Sequence, residues 1–290
     1  MPHTLPELVD LLDLEQISAD RFRGQHPNTT MQRTFGGQVL AQALSAMYDT
    51  VDDGRICHSL SGYFVRPGST HAPLEYQVQR VRDGGSFSTR RVVCSQNGQD
   101  LCMTSASFKA PEDGLEHAVQ AFEPPAPPEM CPSLMDVLAV RSSRVVEEWE
   151  REWAALDVRY ADSSLTNPTE QGASPRLLVW VKTAGRLGDE PRAHQQMLAY
   201  ASDLTILSVS TLTHPVNFLS PKMQAATINH SMWFHRPIRA DEWVLYEQSS
   251  PSASNGLGLS QGRLYAGNIL GASCAQEGLI RVRPDEPLQD

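Results

Sequence analysis

The chain has 290 residues and a formal net charge of −10 at pH 7; 40% of its residues are hydrophobic and 20% are charged. This length allows two domains of ordinary size or one fused pair, and the composition is that of a globular protein. The acidic balance, with no long run of Lys and Arg, argues against nucleic-acid binding. A local basic patch could still bind an anionic substrate.

The cysteines and the first residues bear on the compartment. The chain has five cysteines, an odd number, and none of them form a Cys-x-x-Cys pair. Reduced thiols in a cytosolic protein fit this pattern better than a disulfide framework or a zinc site. The first residues lack a basic region followed by a long apolar run, and no segment approaches membrane-spanning length. We therefore expect a cytoplasmic protein without a membrane span.

The first half of the chain predicts a helix followed by a meander of antiparallel strands. A short amphipathic stretch around Leu8 and a candidate strand near residues 20–25 come first. Gly36-Gly37 then leads into a segment with apolar residues at spacings of three and four, which predicts a helix over residues 38–48. Strand-length runs follow, separated by turn signals rich in glycine: residues 58–66, 74–82, 87–96 and 101–108.

A proline-rich segment separates the two halves. Residues 111–132 contain six prolines, and this composition predicts an exposed, semi-rigid linker. After it, the charged segment Val145–Ala155 predicts a helix.

The second half repeats the scheme of the first. Leu177–Thr183 is apolar and β-prone, and Asp189-Glu190-Pro191 is a helix start with acidic residues and an early proline. We predict that this helix runs through Asp203 and Leu207. Further strands with Asn-Gly or Gly-Asn hairpin turns are predicted near residues 227–236, 242–248, 256–265 and 269–281.

One segment of the first half recurs in the second. Phe64-Val65-Arg66-Pro67 returns as Phe234-His235-Arg236-Pro237, a shift of 170 residues (234 − 64), and Ser61 falls on Ser231 at the same shift. A duplicated helix-and-sheet unit explains this repeat. Two curved sheets could then join edge to edge, which would cover strand edges that a lone sheet leaves exposed. The sequence therefore predicts an α+β fold with two pseudo-symmetric halves and two candidate sites.

A Gly-x-Ser-x-Gly motif at residues 258–262 matches the nucleophile elbow of serine α/β-hydrolases. That elbow needs a strand, a sharp turn and a helix, with an Asp and then a His later in the chain. Residues 263–265 continue a strand, and no histidine follows Ser260. We interpret the motif as part of a twisted hairpin.

Three polar features allow more than one interpretation. His230 and His235 are not at metal-ligand spacing, so a structural role or a ligand contact is favoured over metal binding. Gly36-Gly37 could hold a phosphate at a helix N-terminus or could simply begin a helix. Asp203 lies among apolar residues and would need a partner if it faced the core, but it could also face solvent.

Two long stretches resemble one known family. Residues 34–43, TFGGQVLAQA, and residues 227–237, TINHSMWFHRP, are similar to the acyl-CoA thioesterase II (TesB-like) family, and the likeness extends from about Leu11 to Arg283. The resemblance implies a double hotdog, in which two helix-wrapped antiparallel sheets join into one extended sheet. It implies an N-terminal hotdog unit at residues 1–115, a proline-rich linker at residues 116–147 and a C-terminal unit at residues 148–290.

The resemblance also implies the reaction, which is hydrolysis of acyl-CoA to a free fatty acid and CoA without a cofactor. By motif, the family's catalytic residues fall on Asp203, Thr227 and Gln276 in the second unit. Asp203 would be the general base, and Thr227 and Gln276 would hold the attacking water. Asn229 departs from the family pattern, since similar proteins often carry Asp before the His.

The remaining expectations concern the substrate and the number of sites. We expect Gly36 and Gly37 to supply oxyanion donors, and we expect Arg66, His230 and Arg236 to contact the substrate, with no metal. A homo-oligomer is expected by resemblance. A hotdog-fold hydratase is an alternative, but its Gly-Asp-x-Asn-Pro-[Leu/Ile/Val]-His signature is absent, and a non-catalytic acyl-CoA binder is another.

The repeat itself indicates one active site per chain. At the shift of 170 residues, Thr227 falls on Cys57, and Gln276 falls on Ser107 if one residue of slippage is allowed. Asp203 falls near the Gly36-Gly37 helix start, which has no acidic residue. The full set of catalytic residues is therefore expected only in the second half.

Overall fold

The structure is a computed structural model. It describes residues 1–121, 126–139, 151–161, 175–216, 218, 220 and 222–283. The helix predicted at Val145–Ala155 falls largely outside the described residues; within it, residues 151–153 are helical.

One extended antiparallel sheet of twelve strands runs through the described part of the chain, in the order β1-β2-β4-β5-β6-β3-β9-β12-β11-β10-β8-β7. The first half supplies β1 (Glu15–Ser18), β2 (Arg21–Gly24), β3 (Ile56–Phe64), β4 (Leu74–Asp83), β5 (Phe87–Gln96) and β6 (Gln99–Lys109). The second half supplies β7 (Leu156–Tyr160), β8 (Arg176–Thr183), β9 (Met223–Phe234), β10 (Val244–Ser254), β11 (Leu257–Ala266) and β12 (Ile269–Val282). The halves join through antiparallel pairing of β3 with β9, as expected from the sequence.

The described part of the chain also forms helices, and two of them pack against each other beside the sheet. The helices are α1 (Leu5–Leu12), α2 (Gly36–Tyr48), α3 (Leu134–Ala139) and α4 (Pro191–Ser202), with short 3-10 helices at Pro128–Met130 and Ile206–Thr211. Every residue of α2 from Gly37 to Met47 is buried, because α2 packs against β3–β6 on one side and against α4 on the other. The 3-10 helix at Ile206–Thr211 packs against β10, β11 and β12 in the second half.

The helix predicted to run through Asp203 and Leu207 ends earlier. α4 stops at Ser202, Asp203 occupies the turn that follows, and the chain resumes as a 3-10 helix at Ile206. The apolar spacing continues across this break, since Ile206 and Leu207 are buried like the residues of α4. The periodicity therefore could not reveal the break.

Two strands were not predicted from the sequence, and both lie at the ends of the sheet. β1 is exposed at all four positions, so it has no alternation of apolar and polar residues to detect. β7 does alternate, but it follows a charged segment that we interpreted as a helix. The other strands and the Asn-Gly turns lie close to their predicted positions; Asn97 and Asn255 have φ values of 52° and 53° and each is followed by a glycine with positive φ.

The sequence repeat coincides with an approximate two-fold axis at the junction of the halves. Ser61 pairs directly with Ser231, its equivalent at the shift of 170, and their Oγ atoms are 2.7 Å apart. The irregularities of the sheet repeat as well. The pairing of β3 with β6 slips at His58, and the pairing of β9 with β12 slips at Ile228, which is the same place in the repeat (228 − 58 = 170).

This register corrects one residue equivalence. Gln276 pairs with His230, and Ala106 pairs with Leu60. The two pairs are related by the shift of 170 residues, because 276 − 106 = 170 and 230 − 60 = 170. The hairpins β5–β6 and β11–β12 also both have two-residue turns. The counterpart of Gln276 is therefore Ala106, and no slippage to Ser107 occurs.

The main hydrophobic core crosses the junction of the halves and includes Leu44 and Tyr76 from the first half and Met197 and Tyr246 from the second. Ser260 lies within β11, so the Gly-x-Ser-x-Gly motif is part of a hairpin strand, as interpreted. In the described part of the chain, no helix is long and apolar enough to cross a membrane.

Candidate active site

A cavity of about 560 Å³ opens where the two halves meet. The first half contributes the start of α2 and the end of β3. The second half contributes the turn after α4 and the strands β9 and β12. Chemically informative side chains that line the cavity are Arg33, Phe64, Arg66, Asp203, Thr227 and Gln276.

A β-bulge directs Thr227 toward this cavity. On β9, His230 and Met232 face the core, so regular alternation would turn Thr227 to the opposite face. The pairing with β12 passes from Asn229 directly to Thr227 and leaves Ile228 as an extra residue. A single extra residue reverses the alternation beyond it, which brings Thr227 onto the same face as His230 and Gln276.

Asp203 lies against the start of α2, across the junction of the halves. Its side chain is buried, and its Oδ1 accepts a hydrogen bond from Thr227 Oγ1 at 2.9 Å. A Cβ atom at Gly36 would stand 2.6 Å from Asp203 Oδ2, closer than real contacts allow, so this approach requires a glycine. The second half therefore places its carboxylate against the helix N-terminus of the first half.

Burial raises the pKa of Asp203 above its usual range, because a carboxylate removed from water is disfavoured in its charged form. His230 nearby and hydrogen bonds from Thr227, the Gly37 amide and Gln276 act in the opposite direction and lower this pKa. Burial is the largest of these influences, so the net direction is upward.

The hydrogen bonds continue away from Asp203 as one chain. Gln276 Nε2 donates to Thr227 Oγ1 at 3.0 Å, and Gln276 Oε1 contacts His230 Nδ1. His230 Nε2 lies 3.0 Å from Ser202 Oγ, which is also 3.0 Å from the carbonyl oxygen of Ala199. Ser202 immediately precedes Asp203, so the chain of contacts begins and ends at the same turn.

The structure brings only some of the predicted residues together. Asp203, Thr227 and Gln276 meet in the cavity with Gly36 and Arg66, and Arg66 donates to the carbonyl oxygen of Asp100 at 2.8 Å.

Three predicted substrate contacts lie elsewhere or face another way. Gly37 is packed against the carbonyl oxygen of Tyr200, and its amide is directed at Asp203. His230 lies behind Gln276 and does not line the cavity. Arg236 contacts Glu116 and the carbonyl oxygens of His117 and Leu270. It is the repeat counterpart of Arg66, so it lies at the equivalent place in the second half, away from this cavity.

The cavity also contains residues that the sequence did not single out. Arg33 precedes the TFGG stretch directly, and its position beside that motif was a signal that could have been used. Four further apolar residues of the lining come from separate segments and carry no shared pattern: Trp153, Leu204, Leu207 and Phe218. Among the described residues, no group of three or more His, Cys, Asp or Glu side chains could hold a metal ion.

Comparison with solved structures identifies the class of protein. A conserved protein with a hot dog fold from Alicyclobacillus acidocaldarius superposes with a TM-score of 0.74 at 18% identity, covering 95% of this chain and 98% of that one. An acyl-CoA thioesterase II, TesB2, from Mycobacterium marinum superposes with a TM-score of 0.79 at 37% identity, covering 98% of each chain. The fold is a double hotdog, as the sequence implied.

Comparison of sequences identifies the family. The acyl-CoA thioesterase profile matches residues 156–279, and the profile of the acyl-CoA thioesterase N-terminal domain matches residues 25–109. Human acyl-coenzyme A thioesterase 8 is 35% identical over 289 residues, covering 94% of this chain and 88% of that protein. The chain belongs to the acyl-CoA thioesterase family and is an enzyme that hydrolyses acyl-CoA thioesters.

Proposed function

We propose that Asp203, Thr227 and Gln276 activate a water molecule that attacks the acyl-CoA thioester and releases a free fatty acid and CoA. The observation that carries this proposal is the unbroken hydrogen-bond chain from the Asp203 carboxylate through Thr227 to the Gln276 amide at the cavity wall. The C-terminal unit proposed at residues 148–290 supplies all three residues. The unit proposed at residues 1–115 supplies the helix N-terminus beside them, and the proposed linker covers residues 116–147.

Asp203 is the general base of this proposal. Water is a poor nucleophile at neutral pH, and a base accepts its proton most effectively when the pKa of the base lies near the working pH. The raised pKa of the Asp203 carboxyl is in the right direction for this role. The water oxygen bonds to the thioester carbon, the carbon–sulfur bond then breaks, and the proton held by Asp203 passes to the departing CoA sulfur.

Thr227 and Gln276 hold the carboxylate and the water in position. Thr227 has one hydroxyl hydrogen, which it donates to Asp203. The Gln276 amide nitrogen contacts Thr227 and also lies close enough to Asp203 to lower its pKa. This amide is therefore a donor within reach of a water bound to the carboxylate, and it restricts the direction of attack.

The start of α2 stabilises the negative charge that develops on the thioester oxygen. Phe35 precedes the helix and makes no side-chain capping bond, and of the first amides of α2 that of Gly37 hydrogen-bonds the Asp203 carboxylate from the other half. Amides at a helix N-terminus carry partial positive charge and favour an anion. In this proposal Gly36 faces the thioester, while the Gly37 amide holds Asp203.

Basic residues and apolar residues of the cavity lining orient different parts of the substrate. Arg33 and Arg66 attract the phosphates of CoA, which compensates locally for the acidic character of the whole chain. The acyl chain packs against Leu204, Leu207 and Phe218.

We further propose a homo-oligomer in the cytoplasm. Tyr63 and Trp233 are repeat equivalents near the junction of the halves, and they are 56% and 44% exposed. Their exposure supports an association through the outer face of the sheet. Light scattering coupled to gel filtration tests the assembly, and cell fractionation tests the compartment.

Replacing Asp203 with Asn tests the catalytic proposal. We expect kcat to fall about 10²- to 10⁴-fold, which is the usual contribution of a general base. Thermal unfolding is the control. The raised pKa means that ionised Asp203 lowers stability as pH rises through that pKa, so the uncharged Asn should leave the unfolding temperature at pH 7 equal or higher. Normal turnover of a long-chain acyl-CoA by a folded variant would contradict the assignment.

Rapid mixing and a substrate series separate the alternatives. Direct attack by water predicts no burst of CoA and no acyl group trapped on the protein. A thiol-release assay with short, medium and long acyl-CoA gives the chain-length preference. Tight binding of all three without CoA release would instead favour the acyl-CoA binder.

A further inference from the structure

His230 is a buried member of the hydrogen-bond chain and does not line the cavity. It is 1% exposed and pairs with Gln276 across β9 and β12. Its two ring nitrogens both have protein partners, Gln276 on one side and Ser202 on the other. A side chain in this position can influence the reaction only through one of those partners.

Counting hydrogens from Asp203 outward determines which partner donates in each hydrogen bond. An ionised carboxylate can only accept, so Thr227 must give it its single hydroxyl hydrogen across the 2.9 Å contact. Thr227 Oγ1 must then accept in its 3.0 Å contact with Gln276, which requires the amide NH2 to face Thr227. The amide oxygen consequently faces His230, and Nδ1 of His230 must carry a hydrogen.

The opposite arrangement is also self-consistent, and it disables the site. If His230 carried its hydrogen on Nε2, this nitrogen would donate to Ser202, whose hydroxyl would donate to the carbonyl oxygen of Ala199. Nδ1 would then accept from a reversed Gln276 amide. The amide oxygen would face Thr227 and draw its hydroxyl hydrogen away from Asp203. The orientation of Gln276 therefore depends on which nitrogen of His230 is protonated.

We propose that His230 is a positioning residue: its Nδ1–H holds the Gln276 carbonyl, so that the amide NH2 faces Thr227 and the attacking water. This inference rests on the proposed roles of Asp203, Thr227 and Gln276. Burial lowers the pKa of His230, which favours a neutral ring with one hydrogen. The hydrogen count from Asp203 places that hydrogen on Nδ1, and Nε2 then accepts the hydroxyl hydrogen of Ser202 in place of the Ala199 carbonyl oxygen. His230 thus selects the working orientation of an amide whose two ends are alike in shape.

Two substitutions of similar size separate the two ring nitrogens. His230→Asn can place an amide NH2 near the position of Nδ1 and loses the contact with Ser202. His230→Gln reaches the position of Nε2 and loses the donor to Gln276. We expect His230→Gln to lower kcat on the order of 10- to 100-fold with little change in KM, because a supporting partner is lost while the cavity wall is kept. We expect His230→Asn to retain clearly more activity.

The same substitutions in a Gln276→Ala background distinguish positioning from a structural role. If His230 acts only through Gln276, the two changes are non-additive, and His230→Gln causes no further loss once the amide is gone. Equal losses in the Asn and Gln variants would overturn the inference, as would the same fold-loss from His230→Gln in both backgrounds. A Gln276→Ala enzyme that turns over normally would overturn the proposed function together with this inference, whereas a slow Gln276→Ala enzyme with additive effects would overturn only the inference.

Nitrogen NMR of the unsubstituted protein gives a test that does not depend on the variants folding. Long-range proton–nitrogen spectra report which nitrogen of each histidine is protonated. We expect His230 to carry its hydrogen on Nδ1 at neutral pH, and a ring protonated only on Nε2 would overturn the inference.

Discussion

The two halves of the molecule share their scaffold and differ at a few inward-facing positions. Both contain a hairpin with a two-residue turn, and both carry a bulge at equivalent residues, His58 and Ile228. In the second half the inward positions around the bulge hold Thr227, His230 and Gln276. In the first half they hold Cys57, Leu60 and Ala106. The bulge is therefore part of the inherited scaffold, and side chains placed around it decide whether a site exists.

The shift of 170 residues does not extend to the long helices. α2 lies between β2 and β3, and α4 lies between the corresponding strands β8 and β9, so α4 is the counterpart of α2. Each helix is followed directly by an aspartate, Asp49 after α2 and Asp203 after α4. Gln195 on α4 contacts the hydroxyl of Tyr48 and donates to the carbonyl oxygen of Cys57 at 2.9 Å. A side chain of α4 therefore contacts Cys57, the first-half counterpart of Thr227, whereas Thr227 itself lines the open cavity.

Replacing Gln276 with Ala, its first-half counterpart, is expected to have the largest effect in this comparison. Loss of one positioned amide donor should lower kcat on the order of 100-fold. Steady-state CoA release measures this effect. Gln248 is a matched control, since it is also a buried glutamine in the second half but bonds to Thr205. If Gln248→Ala and Gln276→Ala lower kcat equally, buried amides in this half act through stability alone.

Replacing Thr227 with Cys, its own counterpart, should have a smaller effect. A thiol is a weaker donor than a hydroxyl, so the bond to Asp203 weakens without disappearing. We expect kcat to fall about tenfold, which corresponds to ~1.4 kcal/mol in the transition state. Thr227→Ser keeps the hydroxyl and should retain most of the activity. An inactive Ser variant would argue that the methyl group, and not the hydroxyl, is required.

The pH dependence of kcat/KM should show one acidic limb, since Asp203 is the one acidic side chain among the described residues that line the cavity. The carboxyl must be ionised to accept a proton, so the rate falls as pH drops through the raised pKa of Asp203. That limb should lie above the ordinary aspartate value of about 3.9. Gln276→Ala removes a hydrogen bond that lowers this pKa, so it should move the limb upward. A limb that stays in place in this variant would separate the titrating group from the amide.

The smallest effect is expected from making the first half more like the second. Cys57→Thr introduces a hydroxyl that can bond to the carbonyl oxygen of Ser59, which Cys57 Sγ approaches at 3.4 Å. The thermal midpoint should shift by less than about 4 °C, and kcat should not change, because no second site arises without the remaining residues. Differential scanning fluorimetry and the CoA-release assay check both points. A gain in activity would show that the first half is closer to competence than its residues indicate.

Periodicity and turn chemistry were sufficient to predict α2, most strands and the hairpins, because the glycine-containing turns and the spacing in α2 are local signals. Family motifs placed Asp203, Thr227 and Gln276, which the structure brings together. The bulge at Ile228 could not be predicted, because a single unpaired residue leaves the strand composition unchanged. The one residue of slippage that we allowed in the repeat misassigned Ser107 as the counterpart of Gln276, whereas the exact shift of 170 gives Ala106. Exact register is a property of pairing between strands, so the sequence could not decide between the two.

The direct pairing of Ser61 with Ser231 has a consequence for how such a molecule can change. In a symmetric dimer of identical chains, every substitution near the axis appears twice, so a site and its symmetry-related copy are gained or lost together. Here the two sides of the axis are encoded separately. One position can therefore change to improve packing while its repeat counterpart keeps a side chain that the reaction needs. Tolerance to mutation should then differ between the two halves of a nearly symmetric molecule.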